Sequence, residues 1–408
     1  KIKKTIGAPL ILIKKFLFNV KLQKYHHIIF LPLSLSAYLI SLILPIRAKR
    51  VLITNTAGLG DILMMYPLAK ALSEKYQVDL IVNSREQVDI FRSQSVYKKV
   101  FFVDFYRTQH FKSEKNKFLA VAKVLLFYPL DLLNIFLRNY QAGIVCGHYW
   151  WTNIQEAAMM KAANIPKIIG FENDTLAQRF LNQTIKEKDL VGPALYLCFL
   201  SCFGKEKALS QDLYFEVDSI TMSRTRMFLD QEMIDKKNKK IAVIHPGGKP
   251  NINTRQWPAE NFRQVAEYLI DRDYWVFVTG EGDHDKKPCK EVAEGLQNCS
   301  NFWGLLSFVE LGALLSEADV CISNDTSIVH LAEAVKCKSL IVIYGPSNSS
   351  FLSTKRKKVF RITSSLKCSP CRKSMLHEPE KECIYPEKAK CLKDIKPSQV
   401  IKVIEAEL

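Results

Sequence analysis

The chain has 408 residues, 48% hydrophobic and 24% charged, with a formal net charge of +17 from 58 Lys and Arg against 41 Asp and Glu. That is enough apolar residue for the cores of two ordinary globular domains. The charge is unevenly placed: residues 1–50 hold ten Lys or Arg and no acid, so most of the excess belongs to an amino-terminal arm. Its basic residues alternate with aliphatic runs, which argues against a nucleic-acid surface of stacking aromatics on a polar face.

Within that arm, 1–49, the stretch Ile28–Ile46 runs nineteen residues without a charge. Such a length can just span a bilayer, but Pro32 and Pro45 interrupt it as a helix. Spanning would also put either the lysines or the whole body on the outer side, against the positive-inside tendency in the first case. The favoured expectation is a segment dipping into the inner leaflet, held by flanking Lys and Arg. A true span and a helix packed on the protein's own surface are the alternatives.

A first domain is expected over 50–235. It opens with a strand, Val51–Asn55, then Thr56-Ala57-Gly58-Leu59-Gly60-Asp61, and a helix from Ile62 to about Tyr76. Gly58 and Gly60 suit a tight turn with close backbone approach. Asp61 falls at a helix start, where a carboxylate is stabilised. A helix cap and a functional carboxylate fit that position equally. The dinucleotide fingerprint is excluded, because Met64 stands where its third glycine would be. Further strands read at Val78–Val82, Lys99–Val103, Ala142–Cys146 and Ile168–Phe171, with helical stretches between them. The apolar run Phe118–Leu137 reads as surface or membrane helices, and Leu190–Phe203 as a helical connection.

The charged segment Asp235–Lys240 separates the halves, and a second domain is expected over 236–408. Ile241–His245 ends in Pro246-Gly247-Gly248; Arg255-Gln256-Trp257-Pro258 precedes a helix, Ala259–Asp271; Tyr274–Thr279 ends in Gly280-Glu281-Gly282-Asp283. Phe302–Leu305 leads to a helix, Phe308–Glu317. Then come a strand, Asp319–Ser323, a polar turn, Asn324–Ser327, a helix, Ile328–Val335, and a strand, Ser339–Tyr344. A last helix reads over Lys396–Glu405. The turn joins a strand's carboxyl end to a helix's amino end, where free N–H groups and the positive helix end suit a phosphate. Asp325 and Thr326 can instead serve only as caps, and His330 only as a packed histidine. The fold class is α/β: two facing doubly wound Rossmann-like domains with ligands in the cleft between them.

Seven of the eleven cysteines are scattered and read as buried thiols of a reducing compartment. Cys368, Cys371, Cys383 and Cys391 cluster in a Lys- and Pro-rich loop, 366–392. Their spacing admits a structural zinc, disulfides or free thiols.

Four motifs recur in order: the Gly-Leu-Gly-Asp turn, His245-Pro246-Gly247-Gly248, Arg255-x-Trp257-Pro258, and Ser323-Asn324-Asp325-Thr326-Ser327-x-x-His330. Together they resemble family 9 glycosyltransferases, the bacterial heptosyltransferases of lipopolysaccharide core assembly, which have the two-domain fold called GT-B. The resemblance covers about residues 50–405.

It implies an inverting, metal-independent transfer of a sugar from a nucleotide-diphosphate donor, with no cofactor required. Heptose from ADP-heptose is the family's commonest case, and the acceptor is a membrane-anchored lipopolysaccharide core or related glycolipid. The implied place is the cytoplasmic face of the bacterial inner membrane, peripheral or monotopic, against its anionic surface. Asp61 would be the general base. Arg255 stands where the family usually has a phosphate-binding lysine, and Ser327 where it often has glycine. Asp283 would bind the donor ribose, Asp325 the donor sugar, and Thr326, Ser327 and the His330 helix the diphosphate. The alternatives are a same-fold transferase with another nucleotide sugar, a sugar-nucleotide epimerase of that fold, and a catalytically silent nucleotide-sugar binder.

Overall fold

The structure is a computed structural model that describes residues 49–55, 58–103, 130–147, 150–172, 176–186, 190–205, 210–232, 240–248, 255–352, 354–371 and 383–408. The expected arm apart from Lys49, most of the Asp235–Lys240 link, the turn residues Thr56 and Ala57, and the first part of the Phe118–Leu137 run lie outside them.

Two six-stranded parallel sheets form the frame. The first comprises β1 (Arg50–Thr54), β2 (Gln77–Val82), β3 (Lys99–Phe102), β4 (Ala142–Val145), β5 (Ile168–Phe171) and β6 (Gln183–Ile185), in the order β3-β2-β1-β4-β5-β6. The second comprises β7 (Lys240–His245), β8 (Tyr274–Gly280), β9 (Cys299–Trp303), β10 (Val320–Asn324), β11 (Leu340–Tyr344) and β12 (Val359–Thr363), in the order β12-β11-β10-β7-β8-β9. Counted from its own first strand, each sheet has the doubly wound order 3-2-1-4-5-6. Each therefore has one point where the winding reverses, between β1 and β4 and between β7 and β10. Ligands of such sheets bind outside the carboxyl ends of those two strands.

The helices are α1 (Leu59–Met64), α2 (Tyr66–Ser73), α3 (Arg85–Phe91), α4 (Trp150–Ala162), α5 (Pro193–Leu197) and α6 (Ser219–Glu232) in the first half. The second half has α7 (Ala259–Ile270), α8 (Asp283–Ala293), α9 (Phe308–Glu317), α10 (Ser327–Ala334), α11 (Lys390–Asp394) and α12 (Pro397–Glu407). A further helical stretch, 130–137, precedes β4.

Several expectations change. The single helix expected from Ile62 to Tyr76 breaks at Met65, because Pro67 follows at the first turn of α2. Its ring would meet the carbonyl of residue 63 and it offers no N–H, so it starts a helix but cannot continue one. A strand, Cys299–Trp303, overlaps the start of the Phe302–Leu305 stretch, which was given only as leading to the next helix. β6 and β12 were not foreseen. Both are edge strands, β6 of only three mostly exposed residues. Nor was α6, which has no clean apolar stripe. It is held by its neighbour in the second half: Phe228 lies 5.3 Å from Phe302 between ring centres, and Arg226 Nη2 pairs with Glu317 Oε1 at 2.8 Å.

β1 and β10 are buried almost throughout, as central parallel strands must be. One apolar cluster runs continuously from the first sheet to the second. At its waist Phe215 meets Phe91 edge-on at 6.1 Å on one side and Phe308 at 5.7 Å on the other. The two halves thus share a packed seam.

Candidate active site

The first turn of the site is the β1–α1 connection. Gly58 caps α1, and its N–H donates to Asp61 Oδ2 at 3.1 Å. The carboxylate therefore does cap its own helix, as one reading had it. It is also within hydrogen-bond reach of the Tyr196 hydroxyl, which contacts Asn55 as well. Tyr196 is fully buried, and burial, then the charge of Asp61, push its phenol far above the ordinary range. A neutral phenol facing a half-buried carboxylate is a donor, so Asp61 is held from two sides.

The second turn is the β10–α10 connection. Thr326 occupies the cap position of α10 but makes no side-chain hydrogen bond to the helix. Its hydroxyl instead lies 3.4 Å from that of Ser323. The adjoining loops are fixed by Asn324, which is the last residue of β10 rather than part of the turn. Its fully buried amide accepts from the Trp257 N–H at 2.9 Å and donates to the carbonyls of Pro246 and Gly247 at 3.0 and 3.1 Å. One side chain thus ties the Pro246-Gly247-Gly248 loop and the Arg255–Pro258 loop to the Asp325 turn.

A buried carboxylate braces the other side. Asp285 accepts from the N–H groups of Gly248 and Glu281, each at 3.1 Å. A Cβ on Gly247 would stand 2.3 Å from Asp285 Oδ2, and one on Gly280 would stand 2.9 Å from its Cβ. Both glycines are required by this close approach. His245 Nδ1 lies 3.2 Å from Thr279 Oγ1; burial lowers the pKa of that imidazole, and nearby Asp285 opposes the shift.

The two turns meet. A Cβ on Gly60 would come within 2.8 Å of His330 Cδ2 and 3.4 Å of Ser327 Cα. α1 therefore lies directly against the first turn of α10. Burial lowers the His330 pKa, while Asp325, Asp61 and Glu333 pull it back up in that order. The His330 Nδ1 atom is buried without a hydrogen-bond partner among the described residues. Gly60, Asp61, Asp325, Ser327 and His330 thus form one group, drawn from both sheets at their points of reversal.

The other expected residues are less central. Arg255 is half-buried, beside residues 249–254, which lie outside the described residues. Its backbone is held near the Asp325 turn through the Trp257–Asn324 bond. Asp283 is an exposed first residue of α8, and the inward-turning acid of that loop is Asp285. Among the described residues no disulfide joins the four clustered cysteines. Cys391 is pushed up to about 11 by burial first and then by Cys371, Cys368 and Cys383 nearby. Among the described residues no group of three or more His, Cys, Asp or Glu is arranged to hold a metal ion, which gives the zinc expectation no support.

Three residues of the site escaped the sequence reading besides Asp285. Asn324 and Tyr196 are two. The third is Glu156 of α4, fully buried, whose Oε2 accepts from Thr54 Oγ1 at 2.6 Å beneath the first turn. The single acid of that helix, followed by the apolar run Ala157–Met160 over the sheet, was the available signal for it.

Comparison with known proteins gives these features a context. Residues 139–381 match the model of a family described as glycosyltransferase family 9 (heptosyltransferase). Over 161 residues the chain is 26% identical to lipopolysaccharide heptosyltransferase 1 of Pseudomonas aeruginosa, which covers 38% of this chain and 45% of that protein. The matched stretch thus spans less than half of that relative's length. The crystal structure of a family 9 glycosyl transferase from Veillonella parvula superposes with a TM-score of 0.69 at 18% identity, covering 89% of this chain and 98% of that one. That of E. coli ADP-heptose lipopolysaccharide heptosyltransferase II gives 0.64 at 17%, covering 88% and 98%. At these identities the structural matches speak for the fold: two facing Rossmann-like halves.

Proposed function

Since the chain belongs to glycosyltransferase family 9, we propose that it transfers heptose from ADP-heptose onto a lipopolysaccharide core or related glycolipid acceptor, with inversion at the anomeric carbon. The observation that carries this reading is the placing of Asp61. It is held by the Gly58 N–H and Tyr196, and it faces the first turn of α10 through the Gly60–His330 contact.

The chemistry follows from that placing. An alcohol is a poor nucleophile, and a positioned carboxylate assists it as its proton becomes acidic in the transition state. The acceptor oxygen attacks the anomeric carbon and its proton passes to Asp61. As the new C–O bond forms, the bond to the diphosphate breaks, and the diphosphate leaves with the electron pair. The charge growing on it is met by the N–H groups at the start of α10, which Thr326 leaves uncapped by its side chain, and by the Arg255 guanidinium. Arginine there keeps the charge and adds a bidentate grip. Asp325 contacts the donor sugar, and Asp283 or the neighbouring Glu281 meets the ribose hydroxyls. No metal is needed for these steps.

The basic arm supports a peripheral or monotopic seat on the cytoplasmic face of the bacterial inner membrane, where a lipid-anchored acceptor is presented. Among the described residues no helix is long and apolar enough to cross a membrane.

The test is a melting-temperature screen against ADP, GDP, UDP and TDP and their sugars, followed by release of ADP from ADP-heptose with a truncated lipopolysaccharide acceptor. A ligand of the native state raises the melting temperature by mass action. A shift selective for ADP and ADP-heptose, with acceptor-dependent ADP release, is the expected result. A shift selective for another nucleotide would replace the donor, and binding without turnover would favour a silent binder.

A further inference from the structure

The helical stretch 130–137 is apolar on both of its sides. Leu132 and Ile135 are buried in the cluster against the first sheet, and Phe136 is buried too. Leu130, Leu133 and Leu137 point outward and are 56%, 47% and 58% exposed. Their spacing of three and four residues puts them in one stripe on a helix. Single exposed leucines are ordinary; a contiguous stripe marks a contact surface.

What contacts it is indicated by where the chain enters the fold. Arg50, the first residue of β1, donates from Nη1 to the carbonyl of Arg138 at 3.2 Å, and its own carbonyl accepts from the Gln141 N–H at 2.9 Å. Arg138 is in turn fixed to buried Asp79 by a 2.6 Å ion pair. The segment upstream of Arg50, with nine Lys and Arg, no acid and an uncharged run of nineteen residues, therefore joins the body at the end of the leucine stripe. The surface at that edge carries a basic excess as well: Lys49, Arg50 and Lys75 line one depression there, against the single acid Glu74.

We propose that the Leu130–Leu133–Leu137 stripe is the lipid-contacting face of the folded body and that, with Lys49, Arg50 and Lys75 beside it, it seats the protein on an anionic phospholipid bilayer. The leucines enter the boundary between headgroups and acyl chains, while the lysines and arginines at the same edge meet the phosphates. This rests on the membrane-side reading above but assigns it to a surface of the body, away from the catalytic group.

The test uses the full chain and vesicles of phosphatidylcholine with and without a quarter phosphatidylglycerol. The wild type is expected to sediment with the anionic vesicles. Leu130→Ser, Leu133→Ser and Leu137→Ser combined should reduce its partition coefficient on the order of tenfold or more. The melting temperature without vesicles and activity on a detergent-dispersed acceptor should stay at wild-type values. A triple variant that binds vesicles like the wild type overturns the proposal. So does one that loses stability in solution with unchanged vesicle binding, since the stripe would then cover another part of the chain. If the wild type binds neither vesicle, the membrane-side reading fails with it. As a second measurement, Leu133→Trp should show quenching by brominated lipid beyond that of the native tryptophans, and no added quenching overturns the assignment.

Discussion

Gly60 and His330 lie so close across the two halves that a Cβ on the glycine would stand 2.8 Å from His330 Cδ2. In the interior of a helix, alanine for glycine ordinarily gains about 0.5–1 kcal/mol. Here the methyl group must displace either the imidazole or the helix carrying Asp61.

Gly60→Ala should therefore leave global stability within about 1 kcal/mol of wild type while lowering kcat/KM about tenfold or more. Removing the ring as well, in Gly60→Ala with His330→Ala, should cost less than the sum of the two single effects. Steady-state kinetics on the four proteins of this cycle check it. Strict additivity would mean that the contact is not how the two positions communicate.

Asp61→Ala should leave binding of ADP nearly intact and cut turnover on the order of a hundredfold or more. Equal loss of binding and turnover would sink the base assignment. Tyr196→Phe removes only the hydroxyl that reaches Asp61 and Asn55, so the packing survives. Its expected signature is a lower kcat with little change in donor KM or melting temperature.

Asn324→Ala leaves one buried N–H and two buried carbonyls without their amide partner. Each such loss costs roughly 1–3 kcal/mol where water cannot replace the bond. A total destabilisation of about 2–4 kcal/mol is expected from denaturant titration, allowing for partial relaxation. Because the same amide orders the loops carrying Gly247 and Arg255, ADP affinity should fall with it. A stable variant with weakened ADP binding would assign Asn324 to the site alone; a neutral variant would remove it from both roles.

The central strands and the turns that follow β1 and β10 were legible because continuous apolar runs ending in small or polar residues have few other readings. What stayed hidden depends on contacts between distant parts of the chain. Asn324 reads as a turn residue until β7 and the Trp257 loop supply partners for its amide. Among Glu281, Asp283 and Asp285 the spacing cannot say which acid turns inward; Gly247 and Gly280 leave room for Asp285 alone. Tyr196 lies 135 residues from Asp61, in a helix whose apolar residues gave no reason to single out one phenol. Helix α6 lacks an apolar stripe, and its order comes from Phe302 and Glu317 on the other half.

Buried His330 and His245 set a pH dependence whose sign is fixed by their environment. Burial lowers both pKa values below that of a free imidazole, against the opposing pull of Asp325 and Asp61 on one and Asp285 on the other. Between the folded values and the unfolded value of about 6.5, the unfolded chain binds more protons than the folded one. Stability therefore rises with pH through that window, is fully present above about pH 6.5, and is lost as the pH falls below it. The melting temperature should decline between pH 7.5 and 5.5 in the wild type. His330→Gln, which puts a neutral amide in place of the ring, should flatten that decline, and adding His245→Asn should flatten it further. Thermal unfolding at matched ionic strength decides the matter. A slope unchanged in the double variant would show that neither histidine carries the acid sensitivity, whereas a slope reversed in the wild type would show the imidazoles gaining protons on folding.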